Sequence, residues 1–178
     1  MIPIADRAAA MRDAFDRGFA QPRAIDRPDS ERLLALAVGG DPYALHMEEI
    51  ASLSVDRRLT PLPSPVPEFA GIVGLRGAIL PVYDLARLLG YPAAGQARWL
   101  AMLAAAPVAV AFAAFDGYIV RAGGSIAFEA AGSESRHVRV VARAPDFVRP
   151  VISLASVLDA IRRRWPDAGG DEGRDEER

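Results

Sequence analysis

The sequence contains no cysteine among its 178 residues. That excludes a disulfide framework, a thiolate metal site and a cysteine nucleophile. Histidine occurs only at His46 and His137, so histidine-rich catalytic or metal constellations have almost no raw material. Lysine and asparagine are missing, and all 21 basic residues are arginine. Because Ala, Arg, Gly and Pro are all abundant, this bias reads as codon usage and not as a demand for guanidinium. A basic excess is also lacking. The 23 acids outnumber the bases and leave a net charge of -2, which is not the footprint of a nucleic-acid binder. Aromatics make up 7% of the chain while 51% is hydrophobic. The core is therefore expected to be aliphatic, and the length suits one domain.

No apolar run reads as a leader or a span. The amino-terminal MIPIADRAAAMRDAF is interrupted by Asp6 and Arg7 before an apolar centre begins, which is unlike a secretory signal. The run Trp99 to Phe115 has 17 residues with Pro107 in its middle, at the short limit for crossing a bilayer. It reads as two buried strands joined by a turn near Ala106-Pro107. The expectation is a cytoplasmic protein with no direct membrane insertion.

Ile4, Ala8, Met11, Phe15 and Phe19 recur at helical spacing and predict an amphipathic helix over 4–19. The helix either lids its own domain or docks on a partner. A Pro- and charge-rich linker follows. Residues 32–38 have strand length, Gly39-Gly40-Asp41-Pro42 supplies turn chemistry, and Tyr43–Met47 reads as the second strand of a hairpin. Helix and strand compete for Glu48 to Leu53. The prolines between Pro61 and Pro67 demand an extended surface loop. Strands are predicted over Gly71–Leu75 and Ala78–Asp84, joined at Arg76-Gly77, followed by a helical turn stopped at Gly90. Asp116-Gly117 then precedes a strand YIVRA, 128–135 is loop-like, and strands follow over 138–142 and 148–154. The last helix puts Leu154, Val157, Leu158, Ile161 and Trp165 on one face, with Arg162, Arg163 and Arg164 in its final turn opposing the dipole. The tail 166–178 has no apolar period and is expected to be disordered. Short strands at close spacing argue for a mostly-β domain.

The segment Thr60 to Leu85, TPLPSPVPEFAGIVGLRGAILPVYDL, resembles the CheW family of chemotaxis adaptors. The family pattern is a Pro-rich entry, Gly-Val-Ile-Asn-Leu-Arg-Gly, and then Pro-Val-Ile-Asp-Leu. Here Gly71-Ile72-Val73-Gly74-Leu75-Arg76-Gly77 and Pro81-Val82-Tyr83-Asp84-Leu85 take those places. Leu34 to Ile50, Phe115-Asp116-Gly117 and Val151 to Leu158 resemble flanking parts of the family. The resemblance covers about 31–165, with 1–30 as helix and linker and 166–178 as tail. It implies two small SH3-like β-barrel subdomains sharing a core, with an N-terminal and a C-terminal helix.

The resemblance also implies a noncatalytic scaffold, without a cofactor. The scaffold bridges the cytoplasmic tip of a methyl-accepting chemoreceptor to the regulatory domain of a CheA-type histidine kinase. The implied partner-binding residues are Ile50, Ser52, Leu53, Gly71, Leu75, Arg76, Gly77 and Asp84, with exposed apolar groups near Ile50 and Leu53. Several positions depart from the pattern. Gly74 stands for the family's Asn, and Ser153 for its Asp. The family's Val-x-Glu-Ile falls on Ile50, Ala51, Ser52 and Leu53, so that Ser52 replaces the acid. That replacement implies a dedicated, non-flagellar array. The stretch 117–151 is shorter than usual.

The residues themselves leave some alternatives open. Glycines 71, 74 and 77 allow close approach and positive φ, and Pro81 suits an edge or strand start. Arg76 is either an exposed interface anchor or a partner of Asp84. An enzyme would have to use Asp84, Asp116, His46 or His137, with His137 in a solvated loop, yet no phosphate loop, nucleophile elbow or metal spacing is present. A barrel binding single-stranded nucleic acid would need aromatic platforms and basic grooves.

Overall fold

A computed structural model describes residues 30–92, 97–132 and 136–164. The chain runs β1 (Ser30–Val38), β2 (Asp41–His46), a 3-10 turn (Met47–Glu49), β3 (Ile50–Val55), β4 (Phe69–Leu75), β5 (Ala78–Asp84) and α1 (Leu85–Leu89). It continues through β6 (Trp99–Leu103), β7 (Ala109–Phe112), β8 (Ala114–Ala122), β9 (Ala127–Ala130), β10 (Val138–Ala144), β11 (Phe147–Ile152) and α2 (Leu154–Arg164). The expected helix over 4–19, the linker, Trp165 and the tail lie outside the described residues.

The strands form two sheets, ordered β8-β1-β2-β11-β10-β9 and β3-β6-β7-β5-β4. The fold is mostly β, as expected. Among the described residues neither sheet closes on itself through its ladders, so barrel closure is not seen in their hydrogen bonding.

The apolar runs lack alternation because their strands are buried on both faces. Leu34, Leu36 and Val38 of β1 point into a core shared by both sheets, while Leu33 points into a smaller core with Ala44, Ile126, Ala142 and Val151. The five-stranded sheet repeats this division. Ala101, Leu103, Val110 and Phe112 enter the shared core, while Leu100, Ala109 and Ala111 join Val73, Leu75, Leu80 and Val82 inside the sheet's own curve. Leu154, Val157, Leu158 and Ile161 of α2 complete the shared core.

Turn chemistry sets the boundaries. Gly39 and Gly40, at φ +64 and +95, make the two-residue hairpin turn, and Asp41-Pro42 already belong to β2. The contested stretch after Met47 becomes a 3-10 turn and then strand. The Pro-rich loop is extended, as expected, and is pinned to β4 by paired Thr60–Ile72 backbone bonds of 2.9 Å. Asp116-Gly117 sits inside β8, beside a bulge in its pairing with β1, and not ahead of the strand. The loop expected over 128–135 is corrected at its start: β9 pairs there with β10. All four β9 residues are exposed, so no hydrophobic period announces the strand.

Two polar devices tie distant segments together. Arg149 Nη1 reaches the carbonyls of Leu36 and Tyr43 at 3.2 and 3.1 Å and the Asp116 carboxylate at 2.9 Å. The Tyr91 hydroxyl donates to Asp41 and pairs with the Tyr43 hydroxyl at 2.8 Å. Its ring lies against Gly39, where a Cβ would come within 2.2 Å of it. Burial, and then the Asp41 acceptor, push the Tyr91 phenol well above the usual tyrosine range.

Candidate functional site

Strand register gathers Ile50, Leu75, Arg76 and Gly77 at one end of the five-stranded sheet. Ile50 faces Leu103, Met102 faces Ala109, and Ala109 faces Val82. The start of β3, the end of β6 and the β4–β5 turn therefore share that end. Arg76 and Gly77, at φ +50 and +82, form the two-residue turn of the β4–β5 hairpin. Behind them Gly74 faces Ile79 across the pair. Ile79 is 73% exposed, and Arg76, at the turn next to it in the hairpin, is exposed as well.

Asp84 lies at the other end of β5. Six residues at about 3.3 Å each separate it from Ala78 by roughly 20 Å, so the Arg76–Asp84 pair does not form. Asp84 caps α1 instead, accepting from the Ala86 and Arg87 amides at 2.9 and 3.3 Å. Gly71 and Leu75 are buried in the sheet. Gly71 combines φ +129 with close approach to the Thr60 carbonyl, Gly77 needs only its positive φ, and Gly74 shows neither property. Pro81 is an interior residue of β5, opposite Ile72 of β4.

Ile50 and Leu53 are half-buried against the shared core, not the exposed apolar groups that were expected. A bulge between Ile50 and Ser52 shifts the alternation by one residue, so both side chains turn inward. The Ser52 hydroxyl is buried with no hydrogen-bond partner among the described residues.

Beside Ile50 opens a groove of about 350 Å³ lined by Glu48, Glu49, Leu103, Ala104, Ala105, Leu154 and Ala155. Glu49 keeps a buried, unpartnered carboxylate oxygen there, and its carbonyl accepts from the Ala104 amide at 2.9 Å. Sequence reasoning missed this groove, and it missed Ile79. One signal was available: Met47-Glu48-Glu49-Ile50 retains the Glu-Ile of Val-x-Glu-Ile three residues earlier.

The residues offered to an enzyme take other roles. His46 packs against Phe128 with centroids 5.7 Å apart. Asp116 holds Arg149. His137 is half-buried, which corrects the solvated loop, and its Nδ1 bonds the Ser156 hydroxyl at 3.0 Å. Burial, and then the charges of Arg164, Arg136, Arg163 and Arg139, hold its pKa below the usual histidine value.

Residues 32–113 match the family model of the CheW-like domain. Over that stretch the chain is similar to the CheW-like domain. The chemotaxis protein CheW of Bacillus subtilis (strain 168) is 31% identical over 62 residues, 35% of this chain and 40% of that protein. The match thus spans two fifths of that relative's length. The crystal structure of the scaffolding protein TtCheW from Thermoanaerobacter tengcongensis aligns with a TM-score of 0.60 at 19% identity, covering 69% of this chain and 88% of that one. At that identity the likeness shows the fold. The CheW-like match takes in the 3-10 turn, the β4–β5 tip and β6, and so most of the groove. α2, which supplies Leu154 and Ala155, lies beyond it. No described helix is long and apolar enough to cross a membrane.

Proposed function

We propose that the protein is a noncatalytic adaptor of a chemotaxis-type signalling system. It bridges the cytoplasmic tip of a chemoreceptor to the regulatory domain of a CheA-type histidine kinase, in the cytoplasm. Residues 31–165 act as the adaptor domain, with its two sheets as two small SH3-like units. One observation carries the reading: a single end of the smaller sheet combines an apolar groove with a bare Arg76–Ile79 tip. An aliphatic side chain left 73% in water beside an arginine is the composition of a docking anchor. The groove and the tip are distinct surfaces, as two simultaneous partners require. A dedicated non-flagellar array is implied only if Ser52 replaces the family's acid. With Glu49-Ile50 three residues earlier, that implication falls away.

The test uses Ile79→Asp at the tip and Ala155→Arg in the groove. Binding of each variant to a CheA-type regulatory domain and to a receptor tip from the same organism is measured by calorimetry. Loss of a central anchor costs about 2 kcal/mol or more, roughly thirtyfold in affinity. Each variant is expected to lose one partner and keep the other. Wild-type protein that binds neither partner, or variants that bind both as well as wild type, would overturn the bridging role.

A further inference from the structure

A second apolar surface lies away from the groove and the tip. Val55 on β3 faces Trp99 on β6. The Trp99 ring lies 4.9 Å from Phe115, and Phe115 lies 5.0 Å edge-on from Tyr118 on β8. These four side chains form one row that crosses from the smaller sheet to the larger. The inner two pack partly on the shared core, but Tyr118 is 56% and Val55 41% exposed. β8 is an edge strand among the described residues, so no described strand flanks the row on that side. A continuous aromatic surface of this kind marks an interaction site.

The chain's own path identifies the occupant. It enters the fold at Ser30, which faces Ala122 at the end of β8, while Tyr118 faces Leu34 in the same strand pair. Four residues separate those levels, about 13 Å. Twenty-nine residues precede Ser30. Residues 20–29 alone reach roughly 33 Å when extended, ample to return along β8. Residues 4–19 carry Ile4, Ala8, Met11, Phe15 and Phe19 at helical spacing, and as a helix they measure about 24 Å. Met and Phe on such a face suit an aromatic row, since thioether and ring edges pack favourably on rings.

We propose that residues 4–19 dock as an amphipathic helix across Val55, Trp99, Phe115 and Tyr118, so that the chain covers its own aromatic row. This inference does not depend on the adaptor reading, because it concerns a different surface and an intramolecular contact.

Two measurements on the full chain test it. The sequence has two tryptophans, so Trp165→Phe leaves Trp99 as the sole fluorophore, inside the row. Adding Phe15→Asp with Phe19→Asp, both outside the described fold, should shift Trp99 emission to the red and raise its quenching by acrylamide. The absence of cysteine allows a clean cross-link. Phe15→Cys with Tyr118→Cys should oxidise to an intramolecular disulfide, whereas Phe15→Cys with Ile79→Cys should not. Unchanged Trp99 emission and quenching in the Asp variant would overturn the proposal. So would equal cross-linking of both Cys pairs, or a cross-linked dimer, which would assign the row to a second copy.

Discussion

Gly71→Ala and Gly74→Ala add the same methyl group to the same motif, yet they should move stability in opposite directions. Gly71 sits at φ +129, and a Cβ there would come within 2.3 Å of the Thr60 carbonyl oxygen and 3.0 Å of the Pro61 Cα. These are backbone atoms, so no rotamer change relieves the clash. The Pro-rich loop must lift from β4, which breaks the two 2.9 Å bonds between Thr60 and Ile72. Backbone strain of about 1–3 kcal/mol and two hydrogen bonds of about 1 kcal/mol each give a loss of about 3–5 kcal/mol. That is a large part of the ~5–15 kcal/mol a domain has, and it lowers Tm by roughly 10 °C or more. Gly74 is exposed, lies outside the positive-φ region and has nothing within 4 Å of its Cβ position. Alanine there restricts the unfolded chain and should gain about 0.5 kcal/mol. Urea unfolding followed by far-UV circular dichroism measures both. A Gly71→Ala loss below about 1 kcal/mol, or a Gly74→Ala loss above it, would refute the reasoning, since surface changes normally stay within ±0.5 kcal/mol.

Arg149→Met removes the guanidinium that bridges the Leu36 and Tyr43 carbonyls and the Asp116 carboxylate and should cost about 2–4 kcal/mol in urea unfolding. Arg149→Lys should recover only part of that loss, because an ammonium lacks the guanidinium fork. Tyr91 holds its proton above the usual range, so above pH ~10 the unfolded chain releases a proton that the folded chain keeps, and stability falls with rising pH. Tyr91→Phe should flatten that decline and remove the most alkaline component of the absorbance titration near 295 nm. His137 shows the opposite displacement. Above pH ~6.5 it is neutral in both states and its contribution is fully present; below that value the unfolded chain takes up a proton that the fold resists, so stability falls with acid. His137→Asn is neutral at every pH and tolerates the φ of +61 at this position. It should lose stability less steeply than wild type between pH ~7 and ~5, and coincident slopes would contradict the assignment.

The β4–β5–α1 segment was legible because its punctuation is local. Arg76-Gly77 turns the chain, Asp84 caps the helix, and Gly90 at φ +93 ends it. The two-faced burial of β1, β6 and β7 was legible as unbroken apolar runs, although the runs do not say which residue enters which core. Other features needed tertiary contacts. Tyr91 and Gly39 meet although they are far apart in the sequence. The inward turn of Ile50 and Leu53 follows from a bulge that leaves no mark on composition, and β9 carries no hydrophobic period at all. Ser153 looked like a loss against the family's Asp, yet its hydroxyl accepts from the Ser156 amide at 3.2 Å at the start of α2. Serine and aspartate cap helices about equally well, so the change keeps the physics.

Ile79 shows why the site was harder to read than the fold. Ile79, Pro81 and Tyr83 share one face of β5. At Tyr83 that face is buried in the shared core, with Phe69 edge-on at 5.5 Å. Toward the turn the hairpin outruns the core, and the residue opposite Ile79 is Gly74, which has no side chain to cover it. By alternation alone, Ile79 reads as one more core residue. Its exposure depends on how far the core extends, which is a property of the whole assembly of strands. The same geometry separates function from folding, because a side chain that is 73% exposed contributes little to stability. Substitution there removes the proposed docking surface and leaves the scaffold that presents it intact. At Gly71 the reverse holds: a single methyl group would disturb the scaffold while the Arg76–Ile79 tip kept its sequence.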